Sequence, residues 1–261
     1  MSDDIERRSI DSIARVYHSS KLGGINEAYH LAVRDAMIPI SGGESALELG
    51  CGTGLWTRAL CDRYDVVDVV DASLELLDHV RLLCQDCRAK LSCHPHLVEE
   101  FSPGPEQRWT HIYLTFLLEH LRDPIKVLET IKAWLTPRGS LFLAVPNANS
   151  IHRELAVRMR LLETIDALSD NDRRVGHRRV YTATLLGEQL TASGYEIVRE
   201  HQIGLKPLSL TQMADYPEPL ATALCNSGDL AGQHAAYLGV EAICRSVQQP
   251  GHGGPLRIGA Y

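Results

Sequence analysis

Short apolar runs alternate with amphipathic stretches along most of this chain, and the two periodicities separate strands from helices. Residues 45–49, 66–70, 91–98, 111–116 and 140–145 are short and apolar and read as five strands. Residues 55–60, 74–89 and 124–135 read as helices; Leu76, Leu77, Val80, Leu83 and Cys84 form one side of the second. Strands alternating with helices predict βαβ crossovers and a parallel sheet. Ahead of them, residues 5–40 read as two helices. Ile5, Ile10, Ile13, Ala14 and Tyr17 mark the first, and Ala28, Leu31, Ala32, Ala36 and Met37 mark the second.

Beyond Pro146 the pattern changes. Residues 150–168 predict a helix, 169–172 a polar break and 173–179 a basic loop. Thr182 is placed to cap a helix over 182–192, which Gly194 ends before a strand over 195–201. Residues 208–226 read as helical with a break at Pro217 and Pro219, and 240–247 as a last strand, antiparallel at or near a sheet edge. The Gly/Pro-rich stretch 248–261 is expected to be a disordered tail.

One turn carries the chemistry. The first strand, with Glu48 in it, runs into Gly50-Cys51-Gly52-Thr53-Gly54, and a helix follows. Glycines at a strand-to-helix turn let a ligand approach bare backbone, and the helix start offers unpaired N–H groups. A dinucleotide site spaces its glycines G-x-G-x-x-G; here the spacing is G-x-G-x-G. A pyrophosphate also wants a helix start free of carboxylates, whereas Glu48 suits a cationic ligand. Asp71, ending the second strand, is placed to accept hydrogen bonds from ribose hydroxyls, a device that both cofactor classes use.

The glycine turn resembles the first motif of class I S-adenosylmethionine (SAM)-dependent methyltransferases. Two further runs extend the likeness. Residues 109–124, with Leu118-Glu119-His120 and Asp123-Pro124, resemble the run around the fourth strand of ubiquinone-biosynthesis-like small-molecule methyltransferases. Leu135-Thr136-Pro137-Arg138-Gly139 with Val145-Pro146-Asn147 resembles the fifth strand of the same enzymes. The resemblance covers roughly residues 40–200. It departs at Thr110, where the family has Asp, and at Arg138, where it has Gly.

The resemblance implies an α/β fold: a Rossmann-like, seven-stranded mixed sheet with helices on both faces and a helical lid. It implies a helical cap over residues 1–40, a methyltransferase domain over 41–247, and lid or substrate insertions at 147–180 and 207–238. It implies SAM as cofactor and S-adenosylhomocysteine as product. Glu48, Gly50, Cys51 and Gly52 would lie by the methionine part, Asp71 by the ribose, Ala72, Ser73, Val98 and Glu99 by the adenine, and Thr115 near the reacting centre.

Histidine is the usual base at neutral pH. His120 follows the fourth strand. His177, in Gly176-His177-Arg178, resembles the G-x-H element that faces the acceptor in ubiquinone-type enzymes; the alternative is a loop histidine capping the next helix. Tyr17, Tyr29, Asn147 and Arg178 are the substrate-contact candidates. The basic cluster Arg173, Arg174, His177, Arg178 and Arg179 reads either as a solvated turn or as a seat for an acidic acceptor. Cys84 and Cys87, with Cys93, His94 and His96, have poor spacing for zinc, and no metal site is expected.

Net charge of −7 argues against nonspecific binding to nucleic acid or an acidic membrane. The segment after Thr115 lacks the D/N-P-P-Y/F and Pro-Cys signatures of DNA-base methyltransferases, and Glu119 stands without the second glutamate of protein-arginine enzymes. The acceptor expected is therefore a small molecule, methylated on oxygen or nitrogen. Seven cysteines scattered through helices and strands suit reduced thiols in a cytoplasm. The acidic start, Met1-Ser2-Asp3-Asp4, does not read as a signal peptide. No nucleic acid or membrane partner is expected, and the chain reads as a monomer or homodimer. A catalytically silent SAM-binding subunit is the alternative function, with a nicotinamide oxidoreductase third.

Overall fold

A computed structural model describes residues 24–38 and 42–245. The expected helix over residues 5–17, with Tyr17, and the tail over 248–261 lie outside the described residues.

Seven strands form one sheet in the order β3-β2-β1-β4-β5-β7-β6. They are β1 (Gly43–Leu49), β2 (Tyr64–Asp71), β3 (Lys90–Pro95), β4 (Trp109–Thr115), β5 (Leu135–Pro146), β6 (Tyr195–Ile203) and β7 (Tyr237–Cys244). The first five run parallel. β7 is antiparallel to both β5 and β6, so it lies one place in from the edge. The strand order reverses between β1 and β4. That point is where open α/β sheets bind ligands, outside the carboxyl ends of the strands.

Both faces of the sheet are buried, as parallel sheets require. Alternation sorts the side chains. Leu47, Leu49, Ile112, Leu114, Leu141 and Leu143 face one core with Leu128, Ile131, Leu186 and Leu190. Ala46, Tyr113, Phe142 and Ala144 face the other with Tyr29, Val33, Leu60, Leu77 and Val80. The helices are α1 (Gly24–Met37), α2 (Leu55–Cys61), α3 (Leu74–Leu83), α4 (Pro124–Lys132), α5 (Ile151–Arg158), α6 (Asp170–Arg174), α7 (Ala183–Ala192), α8 (Glu218–Cys225) and α9 (Gly228–Ala231). Thr182 caps α7 as expected, its hydroxyl accepting from the Leu185 N–H at 3.1 Å, and Gly194 follows with φ 82°.

Several boundaries differ from the pattern. α3 stops at Leu83, so Cys87 lies beyond it in a turn. β3 ends at Pro95, which leaves Val98 and Glu99 in the turn that follows. β7 begins three residues before the apolar run that marked it.

The helix expected over 150–168 is the largest miss. α5 ends at Arg158, and Arg160 turns left-handed with φ 59°. The chain then folds back around the buried Arg153, whose guanidinium donates to the Ile165 and Ala167 carbonyls and to Asp172. The polar break at 169–172 is the start of α6. The Ser169 hydroxyl accepts from the Asp172 N–H, and the Asp172 carboxylate accepts from the Ser169 N–H, a capping box. α8 starts after Pro217 and holds Pro219 in its first turn, where no N–H is needed.

Candidate active site above the glycine turn and β4

The turn after β1 is fixed to its neighbour strand by the Gly50 N–H, which donates to the Val70 carbonyl at 2.8 Å. Gly50, Gly52 and Gly54 all have positive φ, a backbone that favours glycine. A Cβ added to Gly52 would meet nothing within 4 Å, so this face of the turn opens on free space. At Gly54 a Cβ would come within 3.0 Å of Leu83 and Val80, so glycine there lets α2 dock on α3.

Glu48 and Asp71 flank the turn, and both are buried. Glu48 accepts from the Thr57 hydroxyl at 2.5 Å. Burial pushes its carboxyl up to about 8, despite the Thr57 bond. An uncompensated buried carboxylate is costly, so Glu48 is a group that a cation would stabilise. Asp71 accepts from the Cys51 N–H at 3.0 Å and from the Ser73 N–H at 2.8 Å. Burial raises its carboxyl, and those bonds work against the rise. Ser73 caps α3, its hydroxyl accepting from the Leu76 N–H. Val98 packs into the core, and a Glu99 oxygen accepts from the Arg122 N–H at 3.5 Å. These residues suit a nucleoside with a cationic amino-acid tail: an open glycine face, a buried carboxyl short of a cation, and an acid at the end of β2.

β4 ends at the buried Thr115, and Phe116 follows with φ 53°. The Phe116 ring packs edge-on against His30 at 4.7 Å and Tyr237 at 5.2 Å. The Lys206 ammonium stands 5.4 Å from the centroid of the Tyr237 ring. The Lys206 carbonyl accepts from the His152 N–H. Burial lowers Lys206 to about 8 and His30 to about 4, and the Lys206 charge adds to the fall at His30. Sequence reasoning missed Lys206, His30, His152 and Tyr237. Single residues on four separate segments left no spacing to read.

A second cluster adjoins the first through Arg153 and Asp172. The His177 Nδ1 meets Asp172 at 3.1 Å, and its Nε2 lies 4.0 Å from a Glu119 oxygen. The His120 ring packs edge-on against His177 at 4.7 Å, and its Nδ1 is 3.2 Å from the Gly176 carbonyl. Glu119 is buried, with neither carboxylate oxygen hydrogen-bonded. Burial lifts Glu119 to about 7, against the pull of nearby His177, and drops His120 to about 4. At Asp172 burial works upward, but bonds from His177, Ser169 and Arg153 outweigh it and hold the carboxyl far below its usual range. The structure thus brings His120 and His177 together.

Other expectations need correction. Tyr29 is fully buried and donates its hydroxyl to the Leu205 carbonyl at 2.6 Å, so it anchors α1. The Asn147 amide donates to the Gln233 and Ala235 carbonyls and accepts from the Asn149 N–H, so it is spent on the fold. Arg178 donates to the His120 carbonyl, and Arg179 to those of Leu118, Leu121 and Arg122. The basic cluster therefore contributes a clamp on the loop after β4, which neither reading of it foresaw. His94 pairs with Asp68 at 2.7 Å, away from Cys84 and Cys87.

The methyltransferase-domain family model matches residues 25–200. The chain belongs to this family. Its sheet and glycine turn are those of the class I SAM-dependent methyltransferases, and SAM is the cofactor that the site fits. A ubiquinone biosynthesis O-methyltransferase of Vibrio vulnificus is 27% identical over 107 residues, 41% of this chain and 46% of that protein. The chain spans about half the length of the curated relatives it matches. Among solved structures, the N-methyltransferase NodS of Bradyrhizobium japonicum, in complex with S-adenosylhomocysteine, aligns with TM-score 0.60 at 13% identity, covering 91% of this chain and 98% of that one. A SAM-dependent methyltransferase of Mesorhizobium loti aligns with TM-score 0.59 at 17% identity over 84% and 99%. Among the described residues, no helix is long and apolar enough to cross a membrane.

Proposed function

We propose that this methyltransferase moves the methyl group of SAM to an oxygen or nitrogen of a small-molecule acceptor that lies over Thr115 and Phe116. The observation that carries the reading is the side-chain grouping at the carboxyl end of β4: an aromatic wall of Phe116, His30 and Tyr237 beside Lys206, with His120 packed against His177 in the adjoining cluster. Such a wall suits a flat or apolar acceptor, held while a polar atom reacts.

SAM supplies a methyl already activated on a sulfonium. In this reading, Gly50, Cys51 and Gly52 receive the methionine part, Glu48 balances its ammonium, and Asp71 takes the ribose. Ala72, Ser73, Val98 and Glu99 border the adenine. The chain's main task is alignment, which can supply on the order of 7–11 kcal/mol. His177, oriented by Asp172, is the proposed base for an acceptor proton, with His120 beside it; such help is typically worth about 10²–10⁴-fold. With Arg178 and Arg179 engaged on the loop after β4, an acidic group on the acceptor would be met by Lys206.

A labelled-methyl assay over a panel of phenols, amines and aromatic acids tests the reading. Transfer to at least one is expected. His177→Ala should slow turnover by at least tenfold while leaving S-adenosylhomocysteine affinity unchanged. Full activity of His177→Ala would remove it from the mechanism, and SAM binding without transfer to any acceptor would favour a silent subunit.

A further inference from the structure

Three sulfurs meet on the side of the sheet where α2 packs against α3. Cys61 ends α2, Cys84 caps the end of α3, and Cys87 lies in the turn beyond. Their Sγ atoms all lie within 4.8 Å of one another. All three are free thiols; Cys61 and Cys84 are buried and Cys87 is partly exposed. The turn is closed by the Cys87 N–H, which donates to the Cys84 carbonyl at 3.0 Å. Arg58, one turn before Cys61, reaches across to the Leu83 carbonyl and to Asp86, which places its charge beside the cluster. Cys93 and His94, grouped with Cys84 and Cys87 in the sequence, sit on β3, and Cys61 takes their place in the cluster.

We propose that Cys61, Cys84 and Cys87 form a three-thiolate site for a soft divalent cation of the Zn2+ class. Zinc–thiolate bonds are about 2.3 Å long, so sulfurs in a tetrahedral site stand about 3.8 Å apart. The cluster needs only a small contraction to reach that spacing. Sulfur-only donors exclude calcium and magnesium, which take oxygen. Binding releases three thiol protons to solvent and changes no oxidation state. Arg58, itself paired with Asp86, keeps a guanidinium beside the site. The partly exposed Cys87 gives the ion its entry and leaves the fourth position to water.

The site would act on the cofactor turn from behind. α2 begins at Gly54 of that turn, and α3 begins at Ser73 beside Asp71. A metal joining the far ends of both helices would fix their mutual position.

Titration of the full chain with Co2+ under reducing conditions tests this. About one equivalent should bind with sulfur-to-cobalt charge transfer and tetrahedral visible bands, and Zn2+ should abolish both. Cys87→Ser, at a partly exposed position, should fold and weaken binding at least tenfold. Cys244→Ser, a cysteine remote from the cluster, should change nothing. Absence of charge transfer would overturn the proposal, as would bands that survive Cys87→Ser. So would a disulfide within the trio together with no metal uptake. None of these readouts depends on methyl transfer.

Discussion

Glu48 shows how one side chain can report a ligand. It is buried at the end of β1, carries one hydrogen bond from Thr57, and is raised to about 8. Its folded value lies above that of the unfolded chain, so the folded protein without cofactor holds a proton that the unfolded chain releases. The stability that this proton confers is present in full below the ordinary carboxylate range and is lost as pH rises through about 8. Melting temperature of the cofactor-free protein should therefore fall between about pH 5 and 8, and Glu48→Gln should flatten that fall. An unchanged slope in the variant would mean that Glu48 is not the titrating group. Glu48 was legible from sequence because it stands two places before a glycine. Lys206 and His30 were not, because burial and cation–imidazole proximity exist only after folding.

At the scale of elements, the local rules served well where hydrophobic periodicity and capping act alone. β1, β2, β4 and the Thr182 cap of α7 came out near their expected bounds, whereas β5 begins five residues before the expected Ser140 and takes Leu135 from the helix expected before it. The segment over 150–168 did not, because Arg153 spends its charge inside the protein and draws the chain back around itself in a way that no periodicity encodes. The basic cluster after it looked like a ligand seat or a solvated turn; Arg178 and Arg179 instead fasten the loop after β4, while Arg174 turns to Asn171. The α2–α3 contact yields a direct test. Gly54→Ala would place a Cβ within 3.0 Å of Leu83 and Val80 in a left-handed backbone. It should cost about 1–2 kcal/mol from backbone conformation alone, read by denaturant unfolding, and should weaken cofactor binding through the displaced turn. A variant as stable as the parent would show that the turn relaxes freely.

For the molecule as a whole, family and cofactor were legible in three motifs, because they lie on the carboxyl edge of one sheet and meet at a single point. The acceptor was not, because the residues grouped around Phe116 come from α1, β7 and the segment after β6, far apart in sequence. Net charge of −7 sets a further expectation: the protein should not be retained on DNA at physiological ionic strength. Tight retention there would count against a small-molecule acceptor. The most direct test of the account is calorimetric titration of the full chain with S-adenosylhomocysteine, beside Asp71→Ala. One site should be found, and the variant should bind at least tenfold more weakly while remaining folded. Equal affinity in the variant, or heat from a nicotinamide dinucleotide in place of S-adenosylhomocysteine, would contradict it.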